Sequence, residues 1–97
     1  MTSTRTLPEP PLGLRLLVGE ARAAVIAVLR SRQTTGTVAS SIHVAPSTAS
    51  AHLNTLSRTG LIDRHRRGRF VYYQLNDRGA ALLELLAEPA AGKVSAP

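Results

Sequence analysis

Cysteine and tryptophan are absent from this 97-residue chain, and Phe70, Tyr72 and Tyr73 are its only aromatic residues. Without cysteine there are no disulfides, no thiolate metal ligands and no cysteine nucleophile. With so few rings, the core has to be built from Leu, Val, Ile and Ala. The length supports one small domain, whose thin stability is commonly supplemented by dimerisation. Acidic residues are scarce as well. Six Asp and Glu face 12 Lys and Arg, a formal charge of +6. That balance favours nucleic acid or an anionic membrane surface as partner. No apolar run approaches the ~20 residues of a membrane span. The N-terminus has no basic region followed by an apolar stretch, so no signal peptide is expected. The expectation is a soluble protein of the cytoplasm.

Enzyme signatures are missing too. There is no phosphate-cradling glycine loop, no HExxH, and no histidine–carboxylate pairing beside a nucleophile. His43, His52 and His65 are scattered and show no ligand spacing. Neither catalysis, nor a cofactor, nor a bound metal is expected from these residues.

What is present is a hydrophobic fraction of 43%, enough for a folded core, arranged with clear periodicity. Residues 1–11, MTSTRTLPEPP, are rich in Pro and Thr and read as a flexible arm, and 89–97 read as a similar tail. Between them, 12–88 form the expected domain. Leu14, Leu17, Val18, Ala21, Ala24, Val25, Val28 and Leu29 recur three or four apart, the pattern of one helix face. Gly19 divides that helix into a short piece and a longer one. Ser31 to Gly36 reads as a polar connector. A short helix is expected over Thr37–His43, with Val38, Ala39 and Ile42 on one side. A further helix is expected from Pro46, suited to a first helical turn, to about Arg58. Its inward residues are Ala49, Leu53 and Leu56, and Gly60 stops it.

The stretch Ile62 to Leu75, "IDRHRRGRFVYYQL", crowds four arginines and a histidine into positions 64–69 and then turns apolar. It reads as a strand over Leu61–His65, a turn at Arg66-Arg67-Gly68 and a returning strand over Arg69–Leu75. One face of the returning strand carries Phe70, Tyr72 and Gln74, the other Val71, Tyr73 and Leu75. Asn76 is a good N-cap for a last helix with Leu82, Leu83, Leu85 and Leu86, ended by Pro89. The fold class is therefore mainly α with a small β-hairpin. A helix-turn-helix is followed directly by a basic hairpin, a wing.

The segment "VASSIHVAPSTASAHLNTLSRTGLIDRHRRGRFVYYQL", with "EARAAVIAVL" before it and "NDRGAALLELL" after it, resembles the ArsR/SmtB-type winged helix-turn-helix regulators of bacteria. The similarity covers most of the chain apart from the tails. Its signature is the S-T-x-S-x-H-L run, the G-L-I stop, and the arginine-glycine wing before a Tyr-rich strand. The resemblance implies a dimeric transcription factor binding duplex DNA, usually a repressor and often released by a metal or small ligand. It places Ser47, Thr48, Ser50, Ala51 and His52 on the helix that enters the major groove, and Arg66 to Arg69 on the wing. It also places the first and last helices at the dimer contact. Two departures stand out. Ala51 stands where many members carry a long polar or basic side chain, which reduces direct base reading. Ala45 stands where a serine N-cap is common.

The chemistry of these residues agrees with contact to nucleic acid. Ser and Thr hydroxyls bond phosphates or base edges but discriminate bases poorly. Asn54 has the groups to read adenine, though it lies far from the helix start. His52 has two readings, a DNA contact or a side chain packed beside Ala49 and Leu56. Arg64, Arg66, Arg67 and Arg69 on a projecting hairpin suit phosphates or a narrow minor groove, and Asp63 is placed to pair with one of them. A solvated charged turn is the bland alternative. Tyr72 and Tyr73 suit base stacking, but at least one is expected in the core. A dimer face is expected from Leu14, Leu17 and Val18 at one end and Leu82, Leu83 and Leu86 at the other. The expected partner is an inverted-repeat operator in double-stranded DNA, contacted at the bacterial nucleoid. Two other readings stand beside it: a winged-helix module that binds protein, and a weakly specific architectural DNA-binding protein.

Overall fold

A computed structural model describes residues 9–87. The tail expected over 89–97, its Pro89 helix stop, and positions 1–8 of the expected arm lie outside the described residues.

The chain order is α1 (Leu12–Val18), α2 (Glu20–Val28), α3 (Thr35–Ile42), α4 (Pro46–Ser57), β1 (Ile62–Arg67), β2 (Phe70–Leu75) and α5 (Asp77–Leu85). Gly19 divides the first helical stretch as its position suggests. Its φ of 94° is one that side chains disfavour, and its N–H caps the end of α1 on the Arg15 carbonyl. The polar connector is shorter than expected, because α3 starts at Thr35 rather than Thr37. The reason is a reciprocal cap: Thr34 Oγ1 accepts the Thr37 N–H at 3.1 Å, and the Thr34 N–H donates to Thr37 Oγ1 at 2.8 Å. Such a box satisfies two donors that a helix start leaves open.

The core runs through every element. Leu14, Ile26, Leu29, Leu53, Val25 and Val38 are its largest fully buried side chains. Each such leucine contributes about 1.5–3 kcal/mol of burial free energy. Among the described residues no polar or charged residue is buried. On α4 the inward residues are Ala49, Leu53 and Leu56, as the spacing predicts.

The hairpin differs from expectation at its tip. β1 and β2 are antiparallel with Ile62 opposite Leu75 and Arg67 opposite Phe70. Arg66 and Arg67 are therefore strand residues, and the turn is Gly68-Arg69. Only Gly68 of that pair has positive φ, at 62°, the arrangement of a tight hairpin turn that needs glycine first. The inward strand face carries Val71, Tyr73 and Leu75, with Tyr73 buried.

One connection was not anticipated. Gln33 pairs with Tyr73 as an isolated antiparallel bridge, N–H to carbonyl at 2.9 and 2.7 Å in the two directions. The Leu75 N–H also donates to the Leu29 carbonyl at 2.9 Å. The hairpin is thus bonded by its backbone to the segment that leads into α3.

α5 is capped by Asn76, whose Oδ1 accepts the Gly79 N–H at 3.0 Å. Gly79 is buried where α5 crosses the start of the hairpin. A Cβ there would collide with the Leu61 carbonyl oxygen and the Leu75 side chain.

Candidate nucleic-acid interface

The turn between α3 and α4 is short and sharply bent. His43 ends α3 in the left-handed conformation, at φ 59°, which is uncommon outside glycine. Its N–H and that of Val44 both return to the Ala39 carbonyl. Ala45 is extended and makes no side-chain cap, and Pro46 opens α4. In the first turn of this 12-residue helix Pro46 has no N–H, and the N–H groups of Thr48 and Ala49 both bond the Ala45 carbonyl at 3.0 Å, which leaves the Ser47 N–H without a side-chain cap.

The side chains at this end are small. Ser47, Thr48, Ala51 and Asn54 are exposed, and Ser50 and His52 are half-buried. These residues share a polar surface along α4, with Ala51 its only apolar member. His52 stands at the margin of the buried face. Asn54 lies on the exposed surface, beyond the first two turns.

On the hairpin, pairing divides the cations between two faces. Arg64 and Arg66 stand opposite Tyr73 and Val71, and His65 and Arg67 opposite Tyr72 and Phe70. Arg69 sits in the turn. All four arginines and His65 are exposed. Asp63 does not pair with them. Its Oδ1 accepts from Asn76 Nδ2 at 3.2 Å, and the one ion pair among the described residues joins Arg15 and Glu20 at 3.8 Å. The wing charge is left unneutralised. His43, His52 and His65 stay on separate elements, and no group of three metal-ligating side chains forms among the described residues.

Sequence reasoning missed Arg32. The Gln33–Tyr73 bridge sets it beside the wing, with its guanidinium carbon 5.8 Å from the centre of the Tyr72 ring. Arg32, His65, Arg66, Arg67 and Tyr72 line one cavity. Phe70, more than half exposed, lies 6.4 Å from Tyr72 ring to ring. The pair "RSR" at 30–32 was the only local hint, and nothing near it in sequence indicates a strand partner.

The residues expected at a dimer face separate into two groups. Leu14 and Leu83 are buried inside the protomer and have no surface for a partner. Burial at the junction of α1, α2 and α5 accounts for both. Val18, Leu82 and Leu86 are half-buried against the core. Leu17 is exposed, as are Leu16 and Leu85, which sequence reasoning had not assigned to this face.

No family model matches the chain. Over 43 residues it is 40% identical to the transcriptional repressor SdpR of Bacillus subtilis. That stretch is 44% of this chain and 48% of the repressor, so the match spans about half of this curated relative. A solved possible transcriptional regulator for arsenical resistance is 31% identical, with 77% of this chain and 80% of that one covered and a TM-score of 0.62. A homodimeric winged helix-turn-helix DNA-binding domain from Mycobacterium bovis, part of a possible ArsR-family transcriptional regulator, is 26% identical. Coverage there is 73% of this chain and 68% of the other, with a TM-score of 0.66.

Proposed function

The chain belongs to the ArsR family of winged helix-turn-helix transcriptional regulators, and from that premise we propose that it binds duplex DNA as a homodimer and represses transcription. The observation that carries the reading is the coupling of two surfaces. The exposed polar start of α4 and the unneutralised arginine hairpin belong to one unit, because β2 is bonded to the segment entering α3.

In this reading α4 enters the major groove by its N-terminal end. The open Ser47 N–H bonds a phosphate, and the Ser47, Thr48 and Ser50 hydroxyls bond phosphates or base edges. Ala51 offers a methyl group for a thymine methyl. His52 contributes at the margin, and Asn54 reaches only the groove wall. Arg64, Arg66, Arg67 and Arg69 hold flanking phosphates or the minor groove, joined by Arg32. Small hydroxyl residues supply modest base discrimination, so much of the affinity is electrostatic.

Exposed Leu16, Leu17 and Leu85 form the dimer face with the half-buried Val18, Leu82 and Leu86. A two-fold dimer sets its recognition helices about 34 Å apart, matching an inverted-repeat operator. Repression is favoured by the similarity to SdpR, and binding to chromosomal DNA places the protein at the nucleoid in the cytoplasm. A polar α4 face and an arginine wing disfavour a module that binds protein only.

Fluorescence anisotropy tests the reading. The DNA upstream of its own gene is compared with a scrambled duplex across a salt series. Tight, selective binding that weakens steeply with salt is expected. Equal and weak binding to both duplexes would reject operator recognition.

A further inference from the structure

A second cavity, of about 320 Å³, opens among α1, α2 and α5. None of its lining residues belongs to α3, α4 or the hairpin. Pro10 and Pro11 give it an apolar wall over the buried Ala27 and Leu83, and two guanidinium groups, Arg15 and Arg30, give it a cationic one. Glu9 is the one carboxylate in its lining, and Glu20 pairs with Arg15 from outside it.

Arg15 is held unusually. Its Nε is buried and makes no hydrogen bond. Its nearest acid, Glu20, lies 3.8 Å from a terminal nitrogen, too far for a strong charged hydrogen bond. Arg30 is exposed and makes no ion pair among the described residues.

We propose that this cavity binds a small organic anion, its carboxylate on Arg15 and Arg30 and its apolar body against Pro10 and Pro11. The planar guanidinium fork suits a carboxylate. The volume stands at the low end of the roughly 300–1,000 Å³ of small-molecule sites, which selects a single ring or a short chain. α1 and α5, which both wall the cavity, also carry the exposed Leu16 and Leu85. Occupancy therefore bears on the relative placement of the two helices that present these leucines. The site stands on its own geometry and needs no DNA binding.

The test titrates benzoate into the full chain and follows the Ala27 and Leu83 methyl resonances by NMR. Its controls are benzamide, neutral and of the same shape, and inorganic phosphate. Saturable shifts with benzoate and none with benzamide are expected. Arg30→Gln, at an exposed position, weakens benzoate by roughly tenfold or more, as loss of a charged hydrogen bond requires. Arg15→Gln does the same, with circular dichroism confirming its fold. No saturable shift, or undiminished binding by Arg30→Gln, overturns the site. Phosphate binding as tightly as benzoate overturns the assignment to an organic anion.

Discussion

Asn76 binds the carbonyl of Gly60 through Nδ2 at 2.8 Å while its Oδ1 holds the Gly79 N–H at 3.0 Å. One side chain thus joins the loop after α4 to the start of α5, at the base of the hairpin. Asn76→Ala leaves both groups without their partner and should lower stability by about 1–3 kcal/mol. Asn76→Asp keeps the acceptor but loses the donor to Gly60 and sets a carboxylate beside Asp63. It should not restore wild-type stability. Urea unfolding of the three proteins measures this, and equal midpoints would remove Asn76 from any structural role.

The wing and Arg32 make a quantitative prediction. Each phosphate contact contributes about 0.9 to the slope of log affinity against log salt. Arg32→Ala should lower the slope by about that amount, and changing Arg66, Arg67 and Arg69 together to Ala by up to about three times as much. These side chains are exposed, so the melting temperature should hardly move. Anisotropy at several salt concentrations decides. An unchanged slope in the triple variant would take the wing away from DNA; an unchanged slope in Arg32→Ala alone would leave the wing in place and exclude Arg32.

The parts of this fold that were legible in the sequence are those decided by local chemistry. Gly19 breaks a helix, Pro46 starts one, Asn76 caps one, and the spacing of Ala49, Leu53 and Leu56 orients α4. Each depends on residues within a turn or two. The hairpin tip was misread by one pairing step. "RRG" looks like a turn, but a two-residue turn with glycine in its first place puts Arg66 and Arg67 in the strand. The Gln33–Tyr73 bridge had no local signal, since its partners are far apart in sequence and Gln33 lies in a polar stretch. Arg32 was invisible for the same reason. Leu14 and Leu83 show another limit. α1 reads LGLRLLV, apolar around most of its circumference, and periodicity cannot tell which leucines face the protomer's own core.

That distinction leads to a test of the dimer. Leu16 is 77% exposed and Leu85 is 77% exposed, whereas Leu14 is fully buried. Leu16→Glu combined with Leu85→Glu adds charge to the proposed contact without opening a cavity. It should shift the protein from dimer to monomer in sedimentation velocity at micromolar concentration. The secondary structure seen by circular dichroism should persist. Leu14→Ala acts elsewhere: it empties a core site and should cost about 2–5 kcal/mol, with loss of folding preceding any loss of association. If the double glutamate variant sediments as the wild type does, these leucines are not the dimer face. If the wild type is itself a monomer whose melting temperature does not depend on concentration, the homodimer is excluded, because folding coupled to association must show that dependence.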